Sequence, residues 1–160
     1  MRRILAVVLL AATILYIAPA GSAGSSSVPR DHVKGTGTHL GADSPYPRIT
    51  VRIDASSNAD GSDPSGRWAL QSRDIGQRRQ GRVTCLRVEG NTATVGVEIT
   101  RSEDPTAVGQ GELWKIIDNG DDGDQIAGYA LTDEPPEVCP PLAFSVPVVR
   151  GRYQIFDAGP

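Results

Sequence analysis

Gly81-Arg-Val-Thr-Cys85-Leu-Arg-Val-Glu-Gly90-Asn-Thr-Ala-Thr-Val-Gly-Val-Glu-Ile-Thr100 decides the fold class of this chain. Gly90-Asn91 stands between two alternating runs, and both residues tolerate the positive φ that a two-residue hairpin turn needs. With those two residues as the loop, Val88 faces Ala93, Leu86 faces Val95 and Thr84 faces Val97. Leu86, Val88, Ala93, Val95, Val97 and Ile99 then share one face, and Arg87, Thr92, Thr94 and Glu98 share the other. A three-residue loop would mix the faces, because a one-residue slip turns every side chain over. In the two-residue register Cys85 lies opposite Gly96, on the face away from the apolar set, where a glycine leaves room for a bulky bridge.

Working outward, the chain is a series of short alternating runs broken by Gly, Pro, Asn and Asp. Strands are expected at His32–Leu40, Arg48–Asp54, Trp68–Arg73, Glu112–Ile117, Gln125–Leu131, Ala143–Val149 and Arg152–Phe156, besides the hairpin. No run of ten residues after the N-terminal segment has helical periodicity, and Pro135, Pro136, Pro140 and Pro141 preclude a helix near Cys139. The expectation is an all-β domain: a single antiparallel sandwich or barrel of about eight or nine strands with one disulfide.

Arg2 and Arg3 precede an apolar stretch, Ile4 to Ile17, and then small residues around Ala18-Pro19-Ala20 and Gly21-Ser22-Ala23. This is the order of a secretory signal peptide, with cleavage after Ala20 or Ala23. The run is short of the about 20 residues a membrane-spanning helix needs, so no stable span is expected after cleavage. The domain reading is a signal peptide at 1–23, a Ser/Gly-rich lead-in at 24–30 and one β-domain at 31–160. In an exported chain the two cysteines, Cys85 and Cys139, are expected to pair, closing a loop of about 54 residues. Two free thiols or a metal pair is the alternative, with no further cysteine or nearby histidine to support it.

The net charge of -3 and the export signal argue against nucleic-acid binding, which needs a basic footprint. Charge is unevenly placed. Arg67 to Arg87 holds six arginines and one aspartate; Glu98 to Glu137 holds eleven acidic and two basic residues. Such asymmetry marks a partner surface or two neighbouring regions that neutralise each other. Arg78, Arg79 and Arg82 would form the core of a basic patch toward an anionic cell-wall polymer. The acidic stretch Asp118-Asn-Gly-Asp-Asp-Gly-Asp124 offers Asp118, Asp121, Asp122 and Asp124 as calcium ligands, although its spacing is not that of an EF-hand. Its plainer reading is a connecting turn, as it is for Asn58-Ala-Asp60-Gly-Ser-Asp63. No other cofactor is suggested.

Catalysis has little support. His32 and His39 are the two histidines, neither a zinc His-Glu-x-x-His nor a Gly-x-Ser-x-Gly elbow is present, and carboxylate pairs are too common here to single one out. Trp68 and Trp114 are expected in the core, with a sugar-stacking platform as the alternative.

Val83-Thr-Cys-Leu-Arg-Val-Glu-Gly-Asn-Thr-Ala-Thr-Val-Gly96, Asp118-Asn-Gly120 with Gly123-Asp124-Gln125, Arg150-Gly-Arg-Tyr153 and the early Gly35-Thr-Gly-Thr38 together resemble a group of small exported bacterial β-domains. That group, found alone or after cell-surface anchor-type modules, carries a V-T-C-L-x-V-x-G-N-x-A hairpin and a later D-N-G-x-x-G-x-D-like turn, which the acidic stretch here approximates. The resemblance spans most of residues 35 to 157. It implies a secreted β-sandwich or barrel and carries over no catalytic or ligand residue. The function expected is a non-catalytic module at the cell surface or outside it, binding an extracellular protein or a cell-wall polymer. A small hydrolase using carboxylates or calcium is one alternative. A protease inhibitor presenting the Pro-rich loop around Cys139 is the other.

Overall fold

The structure is a computed structural model that describes residues 29–41 and 47–159. The expected signal peptide and all but the end of the lead-in lie outside the described residues. Nine strands follow in order: β1 (Arg30–Leu40), β2 (Arg48–Asn58), β3 (Ser65–Ser72), β4 (Gln77–Glu89), β5 (Thr92–Ser102), β6 (Gly111–Ile117), β7 (Gln125–Gly128), β8 (Val146–Pro147) and β9 (Arg150–Phe156). Two 3-10 turns, Pro105–Ala107 and Gly120–Asp122, lie between them. Among the described residues no helix is long and apolar enough to cross a membrane.

All nine strands belong to one antiparallel sheet in the order β8-β7-β6-β5-β4-β3-β2-β1-β9. The single sheet curls as a half-barrel, and its two edge strands do not pair with each other. β8 and β9 stand at its opposite edges, yet only residues 148 and 149 separate them. The chain therefore draws the two edges together. Val148 N–H donates to the Asp124 carbonyl at 2.9 Å and Val149 N–H to the Thr38 carbonyl at 2.8 Å, so consecutive residues bond to opposite ends of the sheet. The sheet curls around Trp68 on β3 and Trp114 on β6, whose rings lie 5.7 Å apart although two strands separate theirs. Both indoles are buried, as a core position requires.

The hairpin forms in the expected register near its turn: Val88 pairs with Ala93, Leu86 with Val95 and Cys85 with Gly96. Beyond Cys85 the register shifts by one. Val83, not Thr84, pairs with Val97. A β-bulge leaves Thr84 unpaired and re-aims it; its hydroxyl donates to the Pro136 carbonyl at 2.7 Å. Val83 thereby joins the apolar face.

Strand limits also differ from the sequence expectation. Arg30, assigned to the lead-in, opens β1, where its guanidinium pairs with Asp63. β7 stops at Gly128 rather than Leu131, because Tyr129 N–H turns to the Leu113 carbonyl and Thr132 bridges to Gly111. Of the expected Ala143–Val149 strand, only Val146–Pro147 pairs. Proline has no N–H to extend a ladder.

Two close packings position the rest. The Tyr153 ring of β9 lies against β1, where a Cβ on Gly37 would stand 2.5 Å from its Cε2. Its hydroxyl reaches past β1 and donates to the Val51 carbonyl of β2 at 2.8 Å. On the outside, residues 129–145 form a strap over β6, β5 and β4. It is anchored by the Cys85–Cys139 disulfide, with Cα atoms 5.6 Å apart. Gly96 lies beneath it. A Cβ there would stand 2.5 Å from Cys85 Sγ and 2.8 Å from Pro136 Cγ.

Candidate functional site

The acidic stretch ties the free edge of β9 to the other side of the curled sheet. Tyr153 and Ile155 of β9 direct their N–H groups to side chains of the β6–β7 connection. Asp124 Oδ2 accepts from Tyr153 N–H at 2.6 Å, and Asp118 Oδ2 accepts from Ile155 N–H at 3.1 Å. The other oxygens are engaged locally: Asp124 Oδ1 by Asn119 N–H and Asp118 Oδ1 by Gly120 N–H. Asp121 pairs with Arg152 at 2.9 Å, and Asp122 is exposed in the 3-10 turn. The four residues proposed as calcium ligands thus serve four backbone amides, one arginine and solvent. Among the described residues no three His, Cys, Asp or Glu side chains converge as metal ligands would. In the other turn, Asp60 accepts from the Ser62 N–H and hydroxyl, which hold its carboxyl below the ordinary carboxylate range.

The basic residues divide by strand alternation. Arg78 and Arg82 of β4 point outward and are exposed; Arg79 between them points inward, its side chain only 12% exposed. The three sequence candidates do not form one patch.

A larger cationic surface forms instead from residues far apart in the chain. Strand pairing lines up outward side chains in rows across the sheet. One row is Arg152–Thr36–Arg52–Ala69–Gln80–Arg101, on β9, β1, β2, β3, β4 and β5. The next is Gln154–Lys34–Asp54–Arg67–Arg82–Glu98. The third is Arg150–Thr38–Thr50–Gln71–Arg78. These rows carry eight basic side chains against Asp54 and Glu98, on a chain whose net charge is -3. Arg82 pairs with Glu98, and Arg152 with Asp121. Among the described residues Lys34, Arg52, Arg67, Arg78, Arg101 and Arg150 make no ion pair.

The face is not flat. Arg52, Arg67, Arg82 and Arg101 surround an open hollow of about 630 Å³ with Ala69 among its lining residues. A second, of about 360 Å³, lies beside it between Lys34, Arg52 and Arg152. A third, of about 620 Å³, lies by Arg48, Arg73 and Arg150. Exposed guanidiniums around open hollows can take phosphate or carboxylate oxygens by paired N–H donors.

A second polar cluster is sealed inside. Arg79 Nη1 lies 3.7 Å from Glu112 Oε2, and the Glu112 side chain is 8% exposed. Burial pushes the Glu112 carboxyl up to about 7, with the Arg79 charge and the adjacent Trp114 indole opposing the shift. His39, its ring 6.2 Å from that of Trp114, is held below the ordinary imidazole range by burial, against the pull of its bond to the Leu40 carbonyl. Trp68 Nε1, Trp114 Nε1, His39 Nε2 and Ser72 Oγ find no hydrogen-bond partner among the described residues. Glu112 could exchange a proton near neutral pH, but it does so among core side chains rather than on a surface open to a substrate.

Compared with protein-family models, curated proteins and solved structures, the chain matches none. Sequence reasoning missed Lys34, Arg52, Arg101, Arg150 and Arg152 as members of the cationic face. The available signal was that each occupies a solvent position in an alternating run.

Proposed function

We propose that the protein is a secreted, non-catalytic binding domain whose cationic sheet face docks on an anionic polymer outside the cell. The observation that carries this reading is the face itself: eight basic and two acidic side chains in three rows, in a chain of net charge -3. Proteins keep such single-sign surfaces at a cost in self-repulsion, and a counter-charged partner relieves it. The signal-like N-terminus and the disulfide support export.

Equilibrium binding to long-chain polyphosphate and to polygalacturonate tests this. Wild type binds at least one of them, more weakly as salt rises, because exposed charges are screened. The triple variant Arg52→Glu/Arg67→Glu/Arg101→Glu, folded by circular dichroism, loses that binding. Binding unchanged by the triple substitution would show that another surface is responsible.

One observation favours a second reading. Val138, beside the disulfide in the strap, is 76% exposed. A protease inhibitor presents an apolar side chain on a tethered loop in this way. Stable complexes with extracellular proteases that Val138→Asp abolishes would support it; uninhibited proteolysis across a panel of them would remove it.

A further inference from the structure

We infer that the cationic face takes a linear phosphate polymer lying across the strands, rather than a compact anion. This rests on the face being a polyanion site and adds the shape and chemistry of the occupant. Neighbouring strands are about 4.8 Å apart, so the first row sets Arg152 about 10 Å from Arg52, Arg52 about 14 Å from Arg101, and spans about 24 Å in all. No compact anion touches both ends of such a row. Between the arginines of that row stand Thr36, Ala69 and Gln80, none of them acidic, and Asp54 of the next row, which borders the path, bonds to His32 at 3.1 Å. The two hollows along that path share Arg52 and Asp54, so the track is continuous from β9 to β5.

The side chains also discriminate among polymers. None of the three rows contains an aromatic residue. Bases of a single-stranded nucleic acid gain much of their affinity by stacking on aromatic rings, and sugar rings use the same kind of platform. A chain of phosphates needs none. Each phosphate offers several acceptor oxygens to the guanidinium forks, and Arg67 and Arg82, directly paired across β3 and β4, can grip one from two sides.

The experiment is a chain-length series: orthophosphate, tripolyphosphate, and polyphosphate just long enough to span about 24 Å. The long chain is expected to bind at least about tenfold tighter than tripolyphosphate, since each added charged hydrogen bond contributes about one such factor. Arg152→Ala and Arg101→Ala, at the two ends, should each weaken the long chain and leave tripolyphosphate unchanged. Arg67→Ala, in the middle, should weaken both. Equal affinity across the series, or end variants without effect on the long chain, would overturn the linear site while leaving the face as a binding surface. Polygalacturonate of matched length binding as tightly would overturn the phosphate assignment alone. Failure of every polymer to bind would overturn the face reading itself.

Discussion

The outer surface of this one sheet is used in two ways. Over β4, β5 and β6 it is covered by the strap of residues 129–145, and the side chains beneath are small: Gly96, Gly111 and Thr94. Over β9, β1, β2, β3 and the Arg78–Arg82 end of β4 with Arg101 of β5 it is bare, and many of the side chains are long and charged. Glycine under the strap allows Pro136 and the disulfide to approach the backbone. Arginine on the bare half prevents any such approach and keeps the face wet. Surface that the chain covers itself is spent on stability, so the half left uncovered is where a partner can act.

Removing the staple separates the halves most strongly. Cys85→Ser/Cys139→Ser opens a loop with a sequence separation of 54. The chain-entropy account gives a loss of about 4 kcal/mol, measurable by urea unfolding. At temperatures where the variant stays folded, polyanion binding should be largely unchanged, because Arg82 alone of the eight basic residues shares a hollow with the strap, beside Glu134, Pro135 and Glu137. Loss of binding in a folded variant would make the halves interdependent.

The interior behind the strapped half should set the pH dependence of stability. Glu112 titrates near 7 in the folded protein, above its ordinary 4.5. Between those values the folded state holds a proton that the unfolded chain has released. Its contribution is therefore fully present below about 4.5 and is lost as pH rises through about 7, a change on the order of 3 kcal/mol. His39, depressed by burial, works in the opposite direction, its contribution present above the ordinary imidazole value and lost toward acid. Comparing wild type with Glu112→Gln cancels the histidine. The variant should gain stability over wild type as pH rises from 5 to 8, where a constant difference would show that Glu112 does not titrate there.

Asp124 joins the two halves, and its loss should cost less. Asp124→Ala removes the acceptor of the Tyr153 N–H and strands a buried donor, which costs about 1 to 3 kcal/mol. Hydrogen exchange should show the Tyr153 amide opening before those of β4 and β5. Unaltered protection would mean that the seam is held elsewhere.

The hairpin pairs Leu86–Val95 and Cys85–Gly96 were legible because alternation and a two-residue turn fix both partners. The bulge at Thr84 was not, since its hydroxyl answers to a carbonyl at Pro136 that only the folded strap brings near. Arg78 and Arg79 look alike in sequence; the side each takes is set by pairing with β3, and by Glu112 on β6 for the inward one. Asp118 and Asp124 were recognisable as turn residues. That their carboxylates cap the edge of β9 follows from curling of the sheet, a long-range event with no local signal. The cationic face was visible only in its Arg67–Arg87 portion, where the arginines are also close in sequence. Its other members become neighbours through strand order alone.

The smallest effect on stability should accompany the largest on binding. Arg67 is exposed, makes no ion pair among the described residues, and stands at the centre of the bare half. Substitutions at such surface positions usually change stability by less than about 0.5 kcal/mol. Arg67→Glu relieves repulsion from Arg82, its partner on β4, but sets a carboxylate opposite Asp54, its partner on β2, so its melting temperature should stay close to that of wild type. Its polyanion binding should nevertheless fall by about tenfold or more, since a guanidinium donor is replaced by a repelling carboxylate. Binding then falls at a residue whose loss leaves stability unchanged, which is expected of a surface kept charged for a partner. If Arg67→Glu instead melts clearly lower, the arginines stabilise the sheet, and the contrast between the covered and the bare half is one of packing style only.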